Sequence, residues 1–306
     1  MKISTGQLFD RAVTQMSTQQ TKVAEMQARL ASGKQIMQTS DNPDQAGLIQ
    51  RLNTAYNRQE TYEASLAKVE DRLMAEESAL MATDNILQRV RELSVRASSD
   101  TLSAKDREII AIEVSTLKEG LLALANTEDV SGNYVFAGSA VHTRPFNENA
   151  SGDITYQGDD NLVSVDVSEQ RRINMNRPGN EVFTSVVRIG ADGEVRVGFF
   201  NVIEDFSRAL QSNDIGAIQR SLGEIDKLSA NISFSQADVG SRLGVMDSQR
   251  DVLSDAKMRY KELLSNAEDL DYATAVTELS AELLSLEAAQ SSFAKISQLS
   301  LFNYIR

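Results

Sequence analysis

Several groups of residues have types and spacings that could do chemistry, and each also has a plainer reading. Gly33 with Lys34 is half of a phosphate-binding loop, in which backbone N–H groups and a lysine would hold phosphate oxygens. Ala28 stands where the first glycine belongs and Gln35 where serine or threonine would hold magnesium, so the pair reads as a break between elements. Asp41, Asn42 and Asp44 offer oxygen ligands in the manner of a calcium loop, but no glycine follows at the sixth position and no glutamate at the twelfth. Pro43 between them is better placed as the first residue of a helix. His142 could serve a serine triad or move a proton, yet no G-x-S-x-G elbow accompanies it, and near Pro145 it reads as solvent-exposed. Glu76 with Glu77 and Asp159 with Asp160 are adjacent acids whose side chains diverge on a helix or strand, so they read as solvated faces rather than facing acid/base pairs.

Composition narrows the classes further. The chain of 306 residues has no Cys, which closes disulfides, thiolate metal sites and cysteine nucleophiles, and its single His cannot build a His-rich metal centre. No catalytic residue, cofactor or metal site is assigned, and the protein is read as non-enzymatic. With 31 Lys plus Arg against 44 Asp plus Glu, the net charge of −13 and 6% aromatics argue against nucleic acid as a partner. No apolar run approaches the roughly 18 residues of a bilayer span, so no membrane partner is expected. Lys2 is followed by Gln7, Asp10 and Arg11 instead of an apolar stretch, so no cleavable secretory signal is expected.

The elements that would position these residues are mainly helical. Neither Gly nor Pro occurs between Leu48 and Glu119 or from Val245 to Arg306, and both stretches are expected to be long helices. Alternating spacings of four and three run through Leu48, Leu52, Ala55, Gln59, Tyr62, Leu66, Val69, Leu73, Glu76, Leu80, Thr83, Leu87 and Val90, a heptad seam with polar breaks. A second seam runs through Ile215, Ile218, Leu222, Ile225, Ser229, Ile232, Gln236, Val239, Leu243, Met246, Arg250, Leu253, Lys257, Tyr260, Leu264 and Ala267 and supplies a partner of similar length. Its phase slips across Asp269 to Asp271 before resuming at Tyr272, which predicts a joint between two helices. Asn42 with Gln45, and Ser103 with Asp106, are capping pairs that place helix starts. A weakly periodic N-terminal helix should break between Ala31 and Ser40. Residues 132–198 hold 8 of the 16 Gly and two of the three Pro and read as a small β domain, with Asp192 and Gly193 in a hairpin turn.

The fold class expected is therefore mainly α with a β insert: long antiparallel coiled-coil-like arms from both chain ends and a small central β-rich domain. Three parts follow: 1–40 with 268–306 as terminal helices, 41–131 with 199–267 as a central helical rod, and 132–198 as the β-rich part. The stripe Phe9, Val13, Met16, Val23, Met26 and Leu30 at one end, and Leu279, Leu283, Leu286, Phe293, Ile296 and Phe302 at the other, are the candidate assembly residues. Chain ends usually fray, so apolar stripes there, continuing to Tyr304 and Ile305, predict burial in a partner or a polymer.

The passage from Leu30 through Ala31, Ser32, Gly33 and Lys34 to Asp41–Ala46 (DNPDQA), and the closing run Leu299, Ser300, Leu301 and Phe302, resemble bacterial flagellar axial proteins of the flagellin superfamily. TLSAKDR (101–107), LLALANTE (121–128), GNYVFAG (132–138), NRPGNEVF (176–183) and VGSRL (239–243) are similar to the hook–filament junction members of that superfamily. The resemblance covers roughly residues 1–146 and 200–306. It implies pairing of the chain ends in an inner tube, with a rod layer around it and the insert outermost. It further implies a ring of like subunits joining hook-associated protein 1 to flagellin. Export without signal cleavage through the flagellar type III apparatus, with a cytoplasmic chaperone, and an extracellular place in the flagellum are implied as well. Physically, terminal helices without a complete core would stay disordered until neighbours bury their stripes. A flagellin-type filament subunit, and an adhesin whose β insert binds a ligand, are the other readings.

Overall fold

Helix starts follow the capping residues. In this computed structural model, which describes residues 2–149, 152–190 and 193–302, with side chains placed for 7, 9–149, 152–189 and 193–295, helix α1 spans Lys2–Ser32 and α2 spans Pro43–Ala97. Asn42 Oδ1 accepts from the Gln45 amide at 3.2 Å, satisfying one of the free N–H groups of the first turn of α2. At Ser103 the full capping box forms with Asp106 and starts α3, Ala104–Ala125.

The Gly/Pro-free run from Leu48 to Glu119 is thus two helices and not one rod. Ser98 and Ser99 bond back to the last turn of α2, Ser99 Oγ lies 2.9 Å from Thr101 Oγ1, and the chain reverses across Ser98–Ser103. Short polar side chains that compete for backbone groups end a helix as effectively as glycine does. Arg107 Nε donates to the Ala97 carbonyl at 3.0 Å and Arg89 pairs with Glu113 at 2.7 Å, so α3 returns antiparallel along α2.

After the insert come α5 (Phe199–Gln211), α6 (Ile215–Glu268) and α7 (Tyr272–Phe302), numbered after the short α4 (Gly179–Val182). Arg91 pairs with Asp226 at 2.6 Å and Arg250 with Glu70, which sets α6 antiparallel to α2. Lys118 to Glu204 at 2.9 Å likewise ties α5 to α3. Along α6 the buried column is Ile218, Ile225, Ile232, Val239, Met246 and Leu253, every seventh residue as the seam predicts. Each such side chain contributes about 1.5–3 kcal/mol by burial. The second column differs from the expected one: Ser221, Leu228, Ser235 and Gln249 are buried, whereas Leu222 and Leu243 are half-buried and Arg250 is exposed. The inner face thus lies one position toward the N-terminus of the expected one, and two serines occupy it. On α2 the seam is buried from Leu66 through Val90, and Glu76, expected with Glu77 on a solvated face, is fully buried.

Among its described residues the insert contains three separate two-stranded antiparallel hairpins, β1 (Phe146–Glu148) with β2 (Ile154–Tyr156), β3 (Ser164–Ser168) with β4 (Arg171–Asn174), and β5 (Val186–Gly190) with β6 (Gly193–Val197). Asp192, expected in the last turn, lies outside the described residues. Two-stranded hairpins have little core of their own. An aromatic cluster supplies it: Phe183 meets Phe136, Phe146 and Phe199 edge-on at 5.1–5.3 Å, and Phe200 of α5 packs beside them. Gly138 must be glycine, since its φ is +72° and a Cβ there would lie 2.1 Å from the Asp159 carbonyl oxygen.

Two compact units emerge, Met1–Arg58 with Asp255–Arg306, and Gln59–Ser254; the division falls within α2 and within α6. Among the described residues no helix is long and apolar enough to cross a membrane.

Candidate assembly interface

The terminal unit is organised around two breaks that meet. Gly33 closes α1 with φ +70°, its N–H bonded to the Arg29 carbonyl at 2.9 Å, in the left-handed conformation that ends a helix. A Cβ at Gly33 would lie 2.8 Å from the Tyr272 hydroxyl. The next residues run antiparallel to the predicted joint between α6 and α7. Leu270 N–H donates to the Gly33 carbonyl at 2.9 Å, Gln35 N–H to the Glu268 carbonyl at 2.8 Å, and Lys34 pairs with Glu268. Lys34 is therefore held by a carboxylate and does not face a phosphate cradle.

Each flank of this joint is capped by an acid. Asp41 accepts the Met37 and Gln38 amides at 3.1 Å, and those bonds, Gln38 first, hold its carboxyl below the usual range. Asp271 accepts from the Thr274 hydroxyl at 2.7 Å and from the Ala273 and Thr274 amides, which lowers its carboxyl likewise and starts α7. Gln45 Nε2 donates to the Ala267 carbonyl at 2.9 Å, adding the start of α2 to the end of α6. Of the calcium-like group, Asp41 is thus engaged with backbone amides and Asn42 with the start of α2, while Asp44 stands in the first turn of that helix.

From the joint, α1 and α7 run antiparallel. Glu282 receives Gln19 and lies 3.7 Å from Lys22, and farther out the rings of Phe9 and Phe293 meet. Of the candidate residues on α1, Val23 is buried, Met16, Met26 and Leu30 are half-buried, and Phe9 and Val13 are 42% and 38% exposed. On α7, Leu279, Leu286 and Phe293 are half-buried and Leu283 is 44% exposed. The side chains of Ile296 and Phe302, and the residues Tyr304 and Ile305, lie outside what is described. So the two stripes face one another along one edge, and Phe9, Val13 and Leu283 keep much of their surface open.

Val276, on the resumed seam, and Leu284, 68% exposed and not singled out by spacing, add to that open surface. Leu284 lies beside Leu283, which widens the apolar face beyond a one-residue stripe. Tyr272 was read as the resumption of a seam, but its hydroxyl packs over Gly33; an isolated glycine inside a helical pattern was the available signal for such a close approach. His142 is exposed in a turn, as expected.

Residues 3–141 match the bacterial flagellin N-terminal helical region, and residues 222–305 match the bacterial flagellin C-terminal helical region. Flagellar hook-associated protein 3 of Salmonella typhimurium is 24% identical over 321 residues, covering 100% of each chain. Flagellin of Listeria innocua is 23% identical over 282 residues, covering 91% of this chain and 90% of its own. The crystal structure of the flagellar junction protein FlgL from Legionella pneumophila superposes with a TM-score of 0.61 at 18% identity, covering 74% of this chain and 100% of that one. That last likeness is one of fold.

Proposed function

Because the chain belongs to the bacterial flagellin family of flagellar structural proteins, we propose that it is the adaptor of the hook–filament junction. In this reading it binds hook-associated protein 1 on the hook side and flagellin on the filament side, as a ring of like subunits. The observation that carries the proposal is the end-to-end alignment with a hook-associated protein 3, which leaves no part of either chain uncovered.

The arrangement of the terminal unit supports it. A pair of helices that leaves Phe9, Val13, Leu283 and Leu284 open has apolar surface to offer neighbours. Repeated head-to-tail contacts through such surfaces close into a ring or continue into a helix. We assign residues 1–40 with 268–306 to an inner tube, 41–131 with 199–267 to a surrounding rod layer, and 132–198 to the outermost layer. Export without a cleaved signal through the flagellar type III apparatus, escorted by a chaperone, belongs to the same proposal, as does an extracellular place in the flagellum.

Cells lacking the gene should carry hooks without filaments and shed flagellin monomer into the medium. Normal filaments would refute the proposal. The 23% identity to a flagellin favours a second reading, a filament subunit. Purified protein that polymerises alone into long fibres would establish that reading, whereas assembly that stops short supports the adaptor.

A further inference from the structure

Glu76 is fully buried on α2, and neither of its carboxylate oxygens has a hydrogen-bond partner. Charged groups act on it from three segments: Arg72 on α2, Arg177 in the segment before α4, and Asp238 and Arg242 on α6. Asp129 lies 3.4 Å from Arg72, and Glu181 lies 3.7 Å from Arg177.

These arginines are also the grips by which the helix pair holds the insert. Arg72 Nη2 donates to the Tyr134 and Val135 carbonyls at 3.0 Å each. Arg242 donates to the Asn176 carbonyl at 3.4 Å while pairing with Asp238 at 2.6 Å. Arg177 reaches Asp238 at 3.6 Å and lies 5.8 Å above the Phe234 ring. Asn176 in turn accepts the Val163 amide and donates to the Asn161 carbonyl, so the grip extends to the β3–β4 hairpin.

Two forces on Glu76 oppose each other. Three arginines favour its ionised form, but the carboxylate has no donor to accept from and no water surface, and an unpartnered buried charge is costly. Burial dominates and pushes the carboxyl up to about 7, with Arg242, Arg177 and Arg72 pulling down and Asp238 pushing up. Ionisation at neutral pH is therefore favoured by any opening that lets water reach this point.

We propose that Glu76 is a proton-controlled latch between the α2/α6 pair and the insert, holding the insert firmly when protonated and loosening it when ionised.

Hydrogen exchange of the full-length chain tests this at the Gly179 and Val163 amides, which bond to Phe136 and Asn176. After correction for intrinsic rates, protection should fall about tenfold from pH 5.5 to pH 8, as expected for a shift of about one unit or more. Glu76→Gln should flatten that dependence. An identical pH dependence in wild type and variant, or none in wild type, would overturn the proposal. Carboxyl carbon NMR of the unmodified chain decides independently of how the variant folds: one glutamate titrating near 7 is expected, and every glutamate titrating below about 5.5 refutes the latch.

Discussion

The rings of Phe9 and Phe293 lie 4.9 Å apart, centroid to centroid, tilted by 47°, joining residues from opposite ends of the chain. A tilted pair of this kind is worth about 0.5–1.5 kcal/mol beyond the area it buries. A double-mutant cycle with Phe9→Ala and Phe293→Ala, read from thermal unfolding by circular dichroism, should give a coupling of about 1 kcal/mol. Strictly additive losses would mean that α1 and α7 do not pair at this level in solution.

Gly33→Ala should destabilise the terminal unit by about 1–2 kcal/mol from the left-handed backbone alone, and the Cβ at 2.8 Å from the Tyr272 hydroxyl adds to that. Gly132→Ala is the matched control, because its φ is +76° and nothing lies within 4 Å of the added carbon. Trypsin cleavage after Lys34, followed over time, should accelerate in the Gly33 variant and not in the control. Unchanged cleavage in the Gly33 variant would show that the turn at Gly33 does not hold this joint closed.

The helical arms were legible because a seven-residue repeat runs along α6 and nearly so along α2, and such a stripe calls for a partner helix; the antiparallel direction of that partner is set by pairs such as Arg91 with Asp226. Both breaks of the terminal unit were legible too, from Gly33 and from the phase slip at Asp269–Asp271. Their mutual pairing was not, since hydrogen bonds between backbone groups leave no trace in side-chain type. The reversal at Ser98–Ser103 was half-visible: the cap at Ser103 announced a helix start, while the preceding serines and Thr101 carried a stop that neither Gly nor Pro marked. Glu76 was misplaced as solvated because its neighbour Glu77 invited a surface reading, although its seam position already pointed inward. Contacts such as Arg188 with Glu224, 36 residues apart and outside any repeat, had no sequence signal at all.

Arg188 on β5 binds Glu224 of α6 through two parallel bonds of 2.7 Å and Asp205 of α5 at 2.8 Å. The carboxylates raise the guanidinium above its usual range, Glu224 foremost, so the pair stays charged throughout the practical pH range. Arg188→Leu leaves Glu224 buried without its partner, and urea unfolding should show a loss of about 3 kcal/mol or more. Adding Glu224→Leu should restore much of it, because a buried pair replaced by apolar side chains is often near neutral. A double variant as unstable as the single one would show that the arginine matters through packing instead.

Tyr156 and Glu204 should give the stability profile slopes of opposite origin. The Tyr156 hydroxyl donates to the Asp159 carbonyl at 2.8 Å and lies 3.1 Å from that of Phe136, and burial raises its ionisation to about 12. Its folded value lies above the unfolded value of about 10, so its contribution is complete below pH 10 and is lost as pH rises from about 10 to 12. Glu204 is lowered, first by its hydrogen bond from Lys118, so its contribution is present above the ordinary carboxylate range and is lost as pH falls through that range. Tyr156→Phe should cost about 1–2 kcal/mol at neutral pH by leaving a buried acceptor unpaired. It should also flatten the alkaline limb while leaving the acid limb untouched. Lys118→Met should do the reverse, shrinking the acid limb and sparing the alkaline one. Urea midpoints measured from pH 3 to pH 11.5 for the three proteins decide the matter. A Tyr156→Phe curve that still falls above pH 10 as steeply as wild type would assign the alkaline loss to other groups.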